Sequence, residues 1–388
     1  MDITLLDRDL YANGPDEAFT WLRANEPVYC DPEGTWGLTL HEDVTWAERQ
    51  PTIFSNQKGS RFRGAPQQSM IDTDDPFHAA QRRLVAKGLG PRQMARYEAH
   101  VQEVARQLVD RVAGRGHCDL VEDIAKPLPM TLIGEMLGAD ESDYDRLQHW
   151  SDVMLTGADG ATNKNDVTMK AAMEYYQYAD AVVAERRERP QDDLISTLIH
   201  GDVDGEQMTH ERVVGNALLL LVGGNETTRN VITGGVEALL TNPAQRDLLV
   251  ANLDDVTGAV EECLRWVTPI LNMQRWTTED VEVRGITIPA ESSVMMCYNS
   301  ANRDERVFEE PFRFDITRSP NRHIAFGFGP HLCLGASLAR LEIRTILTEL
   351  FRRLPDLRLT TPATELTYSH STFVRGIQEL HVEFTPAA

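Results

Sequence analysis

A mainly α fold is predicted, on three observations. Apolar residues recur at helical spacing around 16–24, 93–112, 169–189, 211–240 and 256–267. Strand signals are few and short. No low-complexity linker or internal repeat divides the 388 residues, so one domain spanning 1–388 is expected, although length alone would suggest two or three.

Along the chain, the helix over 16–24 comes first. Val28-Tyr29-Cys30 and the stretch 36–40 then read as strands flanking a Glu33-Gly34 turn. Helices over 93–112 and 169–189 follow, and the stretch 157–165, polar and glycine-containing, reads as a mobile connection between helices. Helices over 211–240 and 256–267 follow. Val281-Glu282-Val283 alternates before Gly285 and pairs in expectation with Ile286-Thr287-Ile288. From Ala336 onward Leu338, Leu341, Ile346, Leu347, Leu350 and Leu354 fall at helical spacing until Pro355 stops the run.

Bulk properties limit the function. A formal net charge of −22 argues against nucleic acid and anionic membrane as partners, and an acidic electron donor would need a local basic patch. The five cysteines are odd in number and show no C-x-x-C pairing, so neither a disulfide framework nor a zinc site is indicated. The first seven residues lack the basic and apolar regions of a signal peptide, and the longest strongly apolar run, 217–222, is too short to span a bilayer. A soluble, cytoplasmic protein is expected.

The most informative stretch is Phe326-Gly327-Phe328-Gly329-Pro330-His331-Leu332-Cys333-Leu334-Gly335. A cysteine taken alone is most often a small buried hydrophobe. Here Gly327, Gly329 and Gly335 surround it, suited to positive φ angles and to a backbone lying against a flat cofactor. The following helix puts free N–H groups and a positive dipole end near the thiol, which favours the thiolate. The pattern Phe-x-x-Gly-x-His-x-Cys-x-Gly resembles the haem-binding loop of the cytochrome P450 superfamily. By that resemblance Cys333 is the thiolate ligand of haem iron, in haem b (iron protoporphyrin IX), and Phe326, Gly329 and Gly335 belong to the cofactor-binding loop.

A second constellation is Leu218-Leu219-Leu220-Leu221-Val222-Gly223-Gly224-Asn225-Glu226-Thr227-Thr228. Each glycine in a helix interior costs roughly 1 kcal/mol against alanine, so the pair marks either a helix end or a site where the helix opens or passes close to something. The pattern alone leaves both open. The segment resembles the family's long central helix, which crosses the distal face of haem. On that resemblance Glu226 and Thr227 are the catalytic pair. Splitting dioxygen takes two electrons and two protons, and an acid beside an alcohol can relay protons. Gly223, where many relatives have alanine, would leave room for oxygen and substrate.

Other candidates gain meaning only in order with these. Glu262-Cys263-Leu264-Arg265 alone is an ordinary i,i+3 pair; before the cysteine loop, with Arg313 between, it resembles the family's buried Glu-Arg-Arg network. Haem carries two propionates that need cations. His78 and Arg82 of the His-x-x-x-Arg stretch, Arg275 before the hairpin and His331 in the loop match the family's positions. His323 is similarly situated.

The resemblance covers residues from about 74 to near the C-terminus. It implies a triangular, helix-rich domain with a small β-rich lobe, haem lying between the central helix and the cysteine helix. The implied activity is monooxygenation of a hydrophobic small molecule by O2, with electrons from ferredoxin and ferredoxin reductase. The sequences 223–230, 300–305 and 322–329 look similar to an actinobacterial branch that oxidises terminal carbons of steroid side chains and branched lipids. Substrate walls are expected from 59–71, 155–178, Val222, 267–273 and 371–374; Val267, Ile270, Leu271, Met273 and Phe373 would give an apolar lining or else serve as ordinary core. Alternatives are tailoring of a terpenoid, polyketide or other secondary metabolite, a peroxide-driven peroxygenase, which has little use for an acid–alcohol relay, and a non-enzymatic haem sensor, which has little use for a substrate pocket.

Overall fold

The computed structural model describes residues 2–157, 166–203 and 205–386. Its axis is the helix His210–Thr241, 32 residues and about 48 Å long. Thr209 caps it, accepting the Arg212 N–H through its side chain. Helices Pro127–Leu137, Tyr144–Gly157, Asp166–Glu188, Thr257–Val267 and Ala336–Arg353 pack around it. The run 217–222 is therefore apolar on nearly every side, as a helix surrounded by others must be.

The central helix passes through Gly223 and Gly224 without a break, which excludes the helix end among the two readings. The glycines serve different ends. A Cβ on Gly224 would stand 2.9 Å from Ile133 Cγ1, so its absence lets Pro127–Leu137 come close. A Cβ on Gly223 would meet nothing within 4 Å.

The cysteine helix, Ala336–Arg353, buries Leu338, Leu341, Ile346, Leu347 and Leu350 against Pro91–Ala113 and the central helix. The periodic helices appear within a few residues of expectation: Asp16–Asn25, Pro91–Ala113, Asp166–Glu188 and Thr257–Val267. Proline at the first position of Pro91–Ala113 begins that helix where a missing N–H costs nothing. Pro127–Leu137 was not legible from period, because eight of its eleven residues are buried and no polar face remains. Gly138, at φ +74°, ends it. The connection read over 157–165 lies, from residue 158 onward, outside the described residues.

Four of the strands match expectation, Val28–Cys30, Trp36–Leu38, Val281–Val283 and Ile286–Ile288. Arg284 and Gly285 both have positive φ, as a two-residue hairpin turn requires. The main sheet runs in the order 28–30, 36–38, 293–297, 272–277, 54–55. Its central pair, Asn272–Thr277 with Ser293–Cys297, is antiparallel from Ser293 opposite Trp276 to Cys297 opposite Asn272. Those two strands are buried on both faces and so carry no alternation. This sheet brings Arg275 beside the cysteine loop. No helix among the described residues is long and apolar enough to cross a membrane.

Candidate active site

A cavity holding roughly 1550 Å³ of space, part of it open to solvent, lies between the central helix and the cysteine loop. Val222, Gly223 and Thr227 line one side, and Phe326, Cys333 and Gly335 the other. The cavity also draws wall residues from the expected segments: Arg61 and Ile71, Leu155, Ile270 and Met273, and Phe373. Val267 and Leu271 do not line it. Val267 packs toward Gly234, and Leu271 is core beneath the sheet.

The loop is held by its own backbone, the Cys333 N–H donating to Phe326 O at 2.8 Å. Gly327 and Gly329 adopt φ of +70° and +68°, whereas Gly335 sits at −83°. Gly329 has a further constraint: a Cβ would collide with the carbonyl oxygen of Glu48. That contact is with protein, so its smallness serves packing as well as any cofactor. The thiol departs from expectation. Burial pushes the Cys333 thiol up, and the Gly335 N–H, Arg82 and Arg340 only partly offset that. A metal cation in the cavity would favour the thiolate.

His78, Arg82, Arg275 and His331 all line the cavity. The His78 and His331 rings stack, centroids 4.0 Å apart at 28°. Arg82 Nη2 donates to Leu332 O at 2.5 Å. His331 is pushed down to about 2 by burial and then by Arg275, His78 and Arg82, so it is neutral among cationic neighbours. His323 lies elsewhere, its Nε2 2.9 Å from Glu261 Oε2. Arg82, Arg275, His78 and His331 gathered around the cysteine loop, with the soft Cys333 thiol beside them in the same cavity, fit a flat iron cofactor bearing two carboxylates.

On the other side, Thr227 Oγ1 donates to Gly223 O at 2.9 Å, one turn earlier. Glu226 faces away from the cavity. It is buried, ion-paired with Arg229 at 2.9 Å, and Arg229 in turn meets Asp152 at 2.9 Å. Burial pushes the Glu226 carboxyl up to about 7, with Arg229 pulling it down, Asp152 raising it, and Arg61 and Lys126 pulling it down. Asp152, about one-third exposed, joins this chain to the surface.

The Glu-Arg-Arg network needs one correction. Arg265 grips Glu262 through Nε at 2.8 Å and Nη2 at 2.7 Å, all fully buried. The second guanidinium on Glu262 belongs to Arg318, at 3.3 Å. The Arg313 side chain points outward to Glu310, and only its carbonyl joins, accepting from Arg265 at 3.2 Å and Arg318 at 3.1 Å. The segment turns between Glu309 and Arg318 so that carbonyls, rather than the nearer arginine, face inward.

Nothing in the sequence pattern singles out Glu48, yet it lies against the cysteine loop. It follows the short helix His41–Ala47 and is fully buried beneath Gly327. It accepts from Arg275 Nη2 at 2.6 Å, Tyr298 Oη at 2.5 Å and the Phe328 N–H at 2.6 Å. Its partners are more than 220 residues distant in sequence, beyond any local motif. Glu342 is a second such acid, buried on the cysteine helix and pushed up to about 8 by desolvation, with Thr228 opposing.

The sequence profile described as Cytochrome P450 matches residues 50–357. The chain is 42% identical to a steroid C26-monooxygenase of Mycobacterium tuberculosis, covering 100% of this chain and 98% of that one. It is 38% identical to a methyl-branched lipid omega-hydroxylase of Mycobacterium bovis, covering 99% and 94%. Among solved structures, a Mycobacterium marinum cytochrome P450 in complex with pseudoionone superposes with a TM-score of 0.91 at 35% identity, covering 99% of each chain.

Proposed function

The chain belongs to the cytochrome P450 family and is an oxidoreductase, a monooxygenase, and we propose that it hydroxylates the terminal carbon of a steroid side chain or methyl-branched lipid. The observation that carries this reading is the apolar cavity with Cys333 on one wall and Gly223 and Thr227 on the other. The two mycobacterial relatives are named for those substrate classes. Ile270, Met273, Phe373 and Leu155 give the cavity walls suited to a long hydrocarbon.

The family's cofactor is a haem iron, which we assign as haem b; when bound it supplies dioxygen activation with O2 and two electrons, taken here from a ferredoxin and its reductase. Cys333 would be its protein ligand, and His78, Arg82, Arg275 and His331 would meet its carboxylates. Phe326, Gly329 and Gly335 shape the loop around the ligand. Gly223, open on its cavity side, leaves room for the reacting carbon. Thr227 holds a hydroxyl at the cavity surface, able to pass a proton onward. Glu226, next to Thr227 on the central helix and pushed up to about 7, would hold an exchangeable proton, and its ion pair with Arg229 and that of Arg229 with Asp152 tie it to the surface. The apolar walls keep bulk water from competing.

The test is a titration of the purified holoprotein with steroids bearing a full side chain, methyl-branched lipids, terpenoids and polyketides, following the Soret band. Steroids or branched lipids should shift it at low concentration. A tight shift by an unrelated scaffold, with steroids and branched lipids silent, would overturn the substrate class.

A further inference from the structure

We propose that Glu48 is a positioning residue of the haem site, whose negative charge offsets that of Arg275 and so holds the iron's reduction potential low. This rests on the haem-thiolate reading above. Three elements far apart in sequence converge on this one carboxylate: strand Asn272–Thr277 through Arg275, the end of strand Ser293–Cys297 through Tyr298, and the cysteine loop through the Phe328 N–H. The side chains of Glu48 and Arg275 are 1% and 5% exposed, so water screens neither charge.

The brace uses both carboxylate oxygens, the Phe328 N–H donating to Oε2 and the Tyr298 Oη to Oε1, whereas the close packing of Gly329 against the Glu48 backbone needs no side chain. Arg275 is the partner that requires an anion. Its Nη1 donates to the Gln274 carbonyl and its Nη2 to Glu48, which together fix the guanidinium at the cavity wall. With Glu48 neutral the site beside the cofactor would be one charge more positive, which favours the extra electron of the ferrous state, and an ionised Glu48 in contact with Arg275 offsets that pull in a low-dielectric setting. Burial pushes the Glu48 carboxyl up, while Arg275, Tyr298 and the Phe328 N–H pull it down; with donors on both oxygens the ionised form is the one the site fits.

The experiment is a spectroelectrochemical titration of full-length, haem-loaded protein. Glu48→Gln should move the ferric/ferrous midpoint to a more positive potential, read as a several-fold larger ferrous fraction at a fixed solution potential. Tyr298→Phe, which removes a hydrogen bond from Glu48 and no charge, should leave the midpoint in place. Should Glu48→Gln fail to hold haem because it strands Arg275, the comparison moves to Arg275→Gln against Glu48→Gln/Arg275→Gln, in which the double variant should again be the more positive. Equal midpoints across the pair that holds haem would overturn the proposal. The ferrous–CO spectrum of the unmutated protein is recorded first. If it lacks the band of a thiolate-ligated haem, the functional reading itself fails, whereas a thiolate band with equal midpoints defeats only the role of Glu48.

Discussion

Arg229 stands between two acids, its Nη2 2.9 Å from Glu226 Oε1 and its Nη1 2.9 Å from Asp152 Oδ1. The arrangement ties a buried carboxyl on the central helix to one at the protein surface. It also makes stability pH-dependent. Burial raises Glu226 from the usual 4.5 to about 7 in the folded protein. Between those values the folded state binds more protons than the unfolded chain, so stability falls as pH rises through the window and is level above it. Glu226→Gln removes this dependence. Thermal melts of the holoprotein should show the variant gaining on the parent between pH 5 and pH 8; parallel curves would contradict the burial account.

Thr227 occupies the cavity surface, hydrogen-bonded back to Gly223. Thr227→Ala should leave NADPH consumption largely intact while product per NADPH falls by roughly tenfold or more, and Thr227→Ser should recover much of the loss. Unchanged coupling in the alanine variant would remove Thr227 from the proton path.

The adjacent glycines separate in their responses. Gly223→Ala adds a methyl into open space and should stabilise the helix by about 0.5–1 kcal/mol, with weaker binding of bulky ligands. Gly224→Ala drives a methyl against Ile133 and should destabilise by about 1–3 kcal/mol. Denaturant melts that rank the two variants in the opposite order would show that the helix faces are wrongly assigned.

Arg318 and Arg313 offer a similar contrast. Arg318, 10% exposed and in contact with Glu262, should cost about 1–3 kcal/mol when replaced by Met. Arg313, 58% exposed, should change stability by no more than about 0.5 kcal/mol as alanine. Equal effects would return the network to the arginine nearer in sequence.

What was legible in the sequence follows from the range of the interactions. Helical period is a property of neighbours one turn apart, and it located the central and cysteine helices. The cysteine loop's pattern lies within ten residues, so it is visible in the sequence alone. Pro127–Leu137 and strand Ser293–Cys297 were hidden because burial on all sides erases the alternation that period detects. Arg318 was missed because its place on Glu262 depends on how the chain turns after Glu309. Glu48 was missed because it acts on Arg275 and the loop across more than 220 positions. The helix terminus beside Cys333 is legible in the sequence, whereas the burial that pushes its thiol the other way is not.

The most direct test of the central claim is turnover of a side-chain-bearing steroid under isotopically labelled dioxygen, with NADPH, a ferredoxin and its reductase. A hydroxylated product carrying one labelled oxygen on the terminal side-chain carbon, lost in Cys333→His protein that still holds haem, is the predicted result. Unlabelled product, oxidation confined to the ring system, or equal activity in the Cys333→His protein would contradict it.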